Sequence, residues 1–140
     1  MNSSIDNAAD FRNIWPLSAA VWTLAFAALA PIFFTVDWLF HIFPDRYPVI
    51  HRMHGLGPEP KILWVASGAI AMVAIYYLTR RPVLGLLACC AFAALYVPAA
   101  IVLWGQFTWG CWLALLVVAL ACCGAFMASR VGRDQASNKG

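Results

Sequence analysis

Four uncharged apolar stretches make up more than half of this chain, and each is long enough to cross a lipid bilayer. They cover residues 16–36, 62–78, 83–103 and 111–128. A helix needs about 20 apolar residues, and roughly 17 at the short end, to cross a hydrocarbon core about 30 Å thick. A charge at the centre of that core costs at least about 2.5 kcal/mol. The absence of charged residues from all four stretches therefore indicates that each can lie in the bilayer. The sequence predicts an all-α integral membrane bundle of four transmembrane helices.

The composition agrees with a membrane protein of one domain, residues 1–140. Hydrophobic residues make up 64% of the chain and charged residues 11%, whereas soluble domains carry about 25% charged residues. The net charge is only +3, and no basic run is interleaved with aromatic residues. Nucleic acid is therefore excluded as a partner. The expected partners are the lipid bilayer and either another membrane protein or a second copy of the chain.

The charge distribution predicts the orientation of the bundle. Four spans place both tails on the same side as the second connection, and that side carries six basic residues against three on the other. The six are Arg12, Arg80, Arg81, Arg130, Arg133 and Lys139. Since positive residues favour the cytoplasm, we expect both termini to be cytoplasmic, in the plasma (inner) membrane. The second and third connections are short, which predicts an antiparallel, up-down bundle.

Tryptophans support the same boundaries. Five of them fall at the predicted outer ends of the helices: Trp38, Trp64, Trp104, Trp109 and Trp112. Amphipathic rings prefer the level of the lipid headgroups. We therefore interpret all five as part of an aromatic belt.

The first connection, residues 37–61, is the long outer loop and holds most of the polar side chains. It contains all three histidines and three of the six acidic residues of the chain. If the first helix continues to Phe43, Asp37 and His41 lie at i and i+4 on one face, where they can pair.

A second, shorter helix is predicted inside this loop. Pro48 can open it and Gly55 can end it, so that His51 and His54 lie at i and i+3 on one face. The apolar residues of this helix are expected to dip into the membrane interface: Val49, Ile50 and Met53.

Two interpretations of the loop's polar residues remain open. Imidazole and carboxylate groups suit zinc, iron or copper, and a haem or a quinone-type headgroup also fits histidines at an interface. The candidate ligands are Asp37, His41, His51 and His54. The simpler interpretation is an amphipathic segment whose polar groups face water and lipid phosphates. We favour it, because a pair of histidines falls short of the three or four protein ligands that metal sites use.

Two vicinal cysteine pairs lie at matching depth on the third and fourth helices. Cys89-Cys90 and Cys122-Cys123 are each about seven residues from the predicted cytoplasmic face, or roughly 10 Å at 1.5 Å per residue. Thiolates at this depth would suit a soft metal such as Cu(I) or Hg(II). Cysteine also packs well as a small apolar residue, and we favour that interpretation. No structural disulfide is predicted.

Three hypotheses for function follow. We find no nucleophile-and-base pattern, phosphate loop, dinucleotide fingerprint or mid-membrane acid. The favoured hypothesis is a non-catalytic bundle that acts by contact, as an accessory subunit, an assembly factor or an immunity-type protein. The second is a metal- or cofactor-binding transporter or sensor, which would use the outer loop or the cysteine pairs. The third is a membrane enzyme that acts on a lipid at the outer interface.

Overall fold

The computed structural model describes residues 14–44 and 46–137, and these residues form helices without strands. The helices are α1 (Trp15–Phe40), α2 (Pro48–Gly55), α3 (Pro58–Arg80), α4 (Pro82–Trp104) and α5 (Trp109–Ser137). Arg12 and Lys139, which enter the charge argument, and Asp45, one of the loop's acids, lie outside the described residues.

The predicted transmembrane bundle is confirmed. Four helices, α1, α3, α4 and α5, are long and apolar enough to cross a membrane. Each contains one of the predicted apolar stretches and extends beyond it at both ends. The protein is therefore an all-helical, membrane-embedded bundle.

Proline sets where the helices begin. Pro16, Pro48, Pro58 and Pro82 each stand within the first two positions of a helix. The first N–H groups of a helix have no acceptor within it, so proline loses no hydrogen bond there. At the other end of α4, Gly105 takes a left-handed conformation with φ 70° and ends the helix, which glycine does without steric cost.

The four long helices form a ring of antiparallel neighbours. Helix α1 packs against α3 and α5, and α4 packs against the same two helices. Small residues make this close approach feasible, since lipid provides no hydrophobic drive for association. A side chain on Gly85 would lie 2.7 Å from the backbone of Leu78, and one on Gly124 would collide with Leu17. The core positions with no exposed surface include many alanines: Ala20, Ala71, Ala74, Ala99, Ala100, Ala114 and Ala121.

Residues 41–57, which connect α1 to α3, form a cap at one end of the bundle. The helix predicted there is present as α2 with the predicted bounds, Pro48–Gly55. Ile50 and Met53 are almost completely buried, and α2 contacts α4. These side chains, expected in the membrane interface, pack instead onto the hydrophobic core of the bundle.

The first helix ends three residues before Phe43, the point to which the sequence allowed it to continue. Helix α1 ends at Phe40, because His41 adopts a left-handed conformation with φ 48° and ψ 50°. The backbone N–H of His41 still donates to the Asp37 carbonyl at 2.7 Å, which closes the last turn. The N–H of Phe43 then turns back to the Asp37 side chain. A left-handed residue of this kind is a common way for a helix to end.

Candidate functional site at the cap

Asp37 is the central polar residue of the cap end. Its side chain is 0% exposed, and an acid in that position is costly unless partners replace water. One carboxylate oxygen, Oδ1, accepts a hydrogen bond from the Phe43 backbone N–H at 2.8 Å. The other, Oδ2, lies 3.3 Å from Nε2 of His54. This second approach lacks hydrogen-bond alignment, so its attraction is electrostatic and is strongest when the imidazole is protonated.

His54 joins three elements of the structure. It lies on α2, its imidazole faces Asp37 of α1, and its side chain is only 17% exposed. Its backbone carbonyl accepts a hydrogen bond from the Lys61 ammonium at 3.2 Å. The same ammonium lies 5.7 Å from the centre of the Trp38 ring, a cation–π distance. The end of α1, the end of α2 and the first turn of α3 are thereby held together.

The carboxylate of Asp37 faces His54 and not His41, which the sequence offered as a candidate partner. The left-handed turn at His41 breaks the i, i+4 geometry on which that pairing depended. The exposed His41 ring instead lies 5.1 Å from the His54 ring, centre to centre. His51 is exposed to solvent on α2.

The structure brings the four candidate metal ligands of the cap only partly together. Over residues 14–44 and 46–137, no three His, Cys, Asp or Glu side chains are grouped closely enough to hold a metal ion. Asp37 and His54 lie together with His41 beside them, whereas His51 is exposed on α2. The metal assignment of these four residues stays a prediction.

The cysteine pairs have mixed environments. Cys89 is fully buried between helices, whereas Cys90, Cys122 and Cys123 are exposed on the outside of the bundle. All five cysteines of the chain are free thiols. One member of the first pair thus packs in the core, as the geometry of adjacent helical residues allows. Both members of the second pair lie on the outer surface of α5, where the surrounding lipid would contact them.

The sequence interpretation missed an aromatic cluster and a cleft above it. Trp64 was assigned to the aromatic belt, but it is buried in the core. Its ring centre lies 5.3 Å from that of Phe34 and 5.4 Å from that of Tyr96. Above Phe34 and Tyr96 lies an open cleft of about 580 Å³, which residues of α1, α4, α5 and the turn between α4 and α5 line at the cap end. The concentration of aromatic residues between Trp104 and Trp112 is the sequence signal that could have revealed the cleft.

Two kinds of chemistry suit the Asp37–His54 pair. A carboxylate orients a neighbouring imidazole, which is useful in proton transfer. A buried pair of this kind can also hold two helices in one register. Because Asp37 has no exposed surface, the second role fits the observed geometry better.

In comparisons with known proteins, the chain matches no family model, no curated protein and no solved structure.

Proposed function

We propose that this protein is a non-catalytic membrane bundle that acts by contact, as an accessory subunit, an assembly factor or an immunity-type protein. The full burial of Asp37 carries this proposal. Its carboxylate is enclosed by the Phe43 N–H and the His54 imidazole. The Asp37 carboxylate, whose burial costs more free energy than that of a neutral polar group, therefore holds the cap in place and does not face a substrate.

The exposed side of the cap is the proposed contact surface. Arg46, Tyr47, His51 and Arg52 are all exposed there. The Arg46 guanidinium lies 5.4 Å from the centre of the Tyr47 ring. Arginine and tyrosine are enriched among the residues that contribute most to protein–protein binding. A firmly held cap that presents them loses little conformational freedom when a partner binds.

The proposed location is the plasma (inner) membrane, with the cap outside and both termini in the cytoplasm. Arg80, Arg81, Arg130 and Arg133 lie at the end of the bundle opposite the cap. The cap end carries three basic residues: Arg46, Arg52 and Lys61. The excess of positive charge supports a cytoplasmic position for the end that carries the termini.

Site-specific photo-crosslinking in cells tests the contact proposal. A photoreactive amino acid in place of Tyr47, which is exposed on the cap, should give a discrete protein adduct. The matched control replaces Met72, which is exposed on the membrane-spanning surface of α3 and should contact mainly lipid. An adduct of twice the chain's mass would identify a second copy as the partner. Absence of a protein adduct at both Tyr47 and His51 would contradict the proposal.

The two alternative functions make different demands on the same residues. A transporter or sensor that used the outer loop, and an enzyme acting on lipid, would each need the Asp37–His54 pair to reach a ligand or substrate. A transporter or sensor that used the cysteine pairs would instead bind a soft metal there. Elemental analysis and a visible absorption spectrum of the purified protein distinguish them from a contact function. We expect neither a stoichiometric transition metal nor a haem band. A stoichiometric metal that disappears in Asp37→Asn would replace the contact proposal with the second hypothesis.

A further inference from the structure

The cleft at the cap end extends along the apolar membrane-spanning helices. Its rim is the turn of residues 105–108 between α4 and α5, and its floor is formed by Ala30, Phe34 and Tyr96. Ala30 and Phe34 precede the end of α1 by ten and six residues, and Tyr96 precedes the end of α4 by eight. At 1.5 Å per residue, these three residues lie roughly 9–15 Å below the ends of their helices. The cleft volume of about 580 Å³ lies within the range of sites that bind small molecules.

The walls of the cleft favour a flat and uncharged ligand. Six aromatic side chains line it: Phe34, Tyr96, Trp104, Phe107, Trp109 and Trp112. Aromatic walls bind planar rings by offset or edge-to-face stacking. None of the described residues that line the cleft carries a formal charge; the Arg52 guanidinium lies outside the lining, beside Gly105 at the rim. The polar groups at the rim are the neutral side chains of Gln106 and Thr108.

The hydroxyl group of Tyr96 provides a polar contact at the floor. This side chain is 95% buried, with 5% exposed. Its hydroxyl lies against Gly110, where any side chain would collide with it. Among the described residues, no hydrogen bond to this hydroxyl is formed, and it is not one of the polar atoms that are both fully buried and unpaired. The hydroxyl is therefore accessible from the cleft, where a ligand acceptor can accept the hydrogen bond that no protein group accepts.

We propose that the cleft binds a neutral amphiphile with a planar ring and a carbonyl acceptor, of the quinone class. The ring lies between the aromatic walls, and a carbonyl oxygen accepts a hydrogen bond from Tyr96. The apolar tail of the ligand remains in the bilayer. A phospholipid chain in the same space would leave the Tyr96 hydroxyl without an acceptor. This inference goes beyond the contact function and does not depend on it.

Photolabelling with an azido-quinone, competed by decylubiquinone, tests the proposal on the full chain in phosphatidylcholine nanodiscs. We expect saturable labelling of the peptide that contains Trp104 to Trp112. Tyr96→Phe, which removes only the hydroxyl, should weaken competition by decylubiquinone roughly 3- to 10-fold, as the loss of one neutral hydrogen bond does. Ala30→Phe should abolish labelling by filling the cleft, since Ala30 lines it. Leu29→Phe is the matched control, because Leu29 is exposed on the outside of the bundle.

Two results would overturn the quinone assignment. The first is an unchanged affinity in Tyr96→Phe, a variant expected to fold because the ring is kept. The second is equal competition by decanol, which has a similar tail but no ring, and this would indicate that the cleft accepts any hydrocarbon chain. Neither result bears on the cap, because both concern a surface formed by α1, α4 and α5.

Discussion

Replacing His54 with alanine should destabilise the protein more than any substitution of an exposed cap residue. The change leaves the carboxylate of Asp37, which is 0% exposed, without the imidazole that lies 3.3 Å from it. Removing one partner of a buried pair costs about 3–5 kcal/mol, because the other charge remains buried. Since the His54 side chain is 17% exposed, water can partly replace it, and we expect a loss at the low end of that range, about 3 kcal/mol.

Neutralising the carboxylate should reverse part of this loss. Asp37→Asn keeps an oxygen that can accept the Phe43 N–H but removes the buried charge. By itself it should cost about 1–2 kcal/mol, through the lost attraction to His54. In the double variant Asp37→Asn/His54→Ala no charge remains buried. Its unfolding free energy should therefore exceed that of His54→Ala, with a coupling of about 1–3 kcal/mol between the two sites.

Unfolding in mixed micelles of mild detergent and SDS, followed by far-UV circular dichroism, measures these free energies. His51→Ala is the matched control on the same helix, because His51 is exposed, and it should change the unfolding free energy by no more than about 0.5 kcal/mol. The reasoning is refuted if His54→Ala costs no more than His51→Ala. It is also refuted if adding Asp37→Asn to His54→Ala restores no stability.

Three further predictions concern helix packing, the cysteine pairs and the orientation of the bundle. Gly85→Ala should lower the unfolding free energy by about 1–3 kcal/mol in the same titration, because the new methyl group would lie 2.7 Å from the backbone of Leu78. The control Gly68→Ala gains only ordinary van der Waals contacts and should leave the unfolding free energy nearly unchanged. Simultaneous alanine substitution of Cys89, Cys90, Cys122 and Cys123 should leave the bundle folded; loss of stoichiometric copper or mercury binding would show a thiolate site instead. In a cysteine-free background, Glu59→Cys should react with an impermeant maleimide in intact cells, and labelling of Ser137→Cys would reverse the proposed orientation.

The spans and the short cap helix could be predicted from sequence because their signals are local. Uncharged length defines a membrane span, and proline at the first position of a helix with glycine at its end defines the bounds of α2. The partner of Asp37 could not be predicted in this way. The i, i+4 rule holds only while the helix continues, and the left-handed His41 ends it. The true partner, His54, belongs to another helix, so only tertiary packing could reveal it.

Trp64 shows a second limit of local patterns. A tryptophan near the end of a membrane helix fits both an interfacial belt and a buried core, because its ring is apolar and carries one polar N–H. The structure buries Trp64 between Phe34 and Tyr96, whereas Trp109 and Trp112 remain exposed. Whether Trp64 is buried depends on which face of α3 meets α1 and α4. The hydrophobicity of α3 is nearly uniform, so the sequence does not show which face that is.

The cap and the cleft meet at Gly105, which connects the two proposals without making one depend on the other. The Arg52 guanidinium of the cap lies beside Gly105, 3.6 Å from where a side chain would begin. Gly105 also starts the turn that forms the rim of the cleft. A variant that releases α2, such as His54→Ala, removes this contact from the rim as well as disturbing the contact surface. Tyr96→Phe changes only the floor of the cleft, so a loss of quinone binding without a loss of crosslinking from Tyr47 would assign the two activities to separate surfaces.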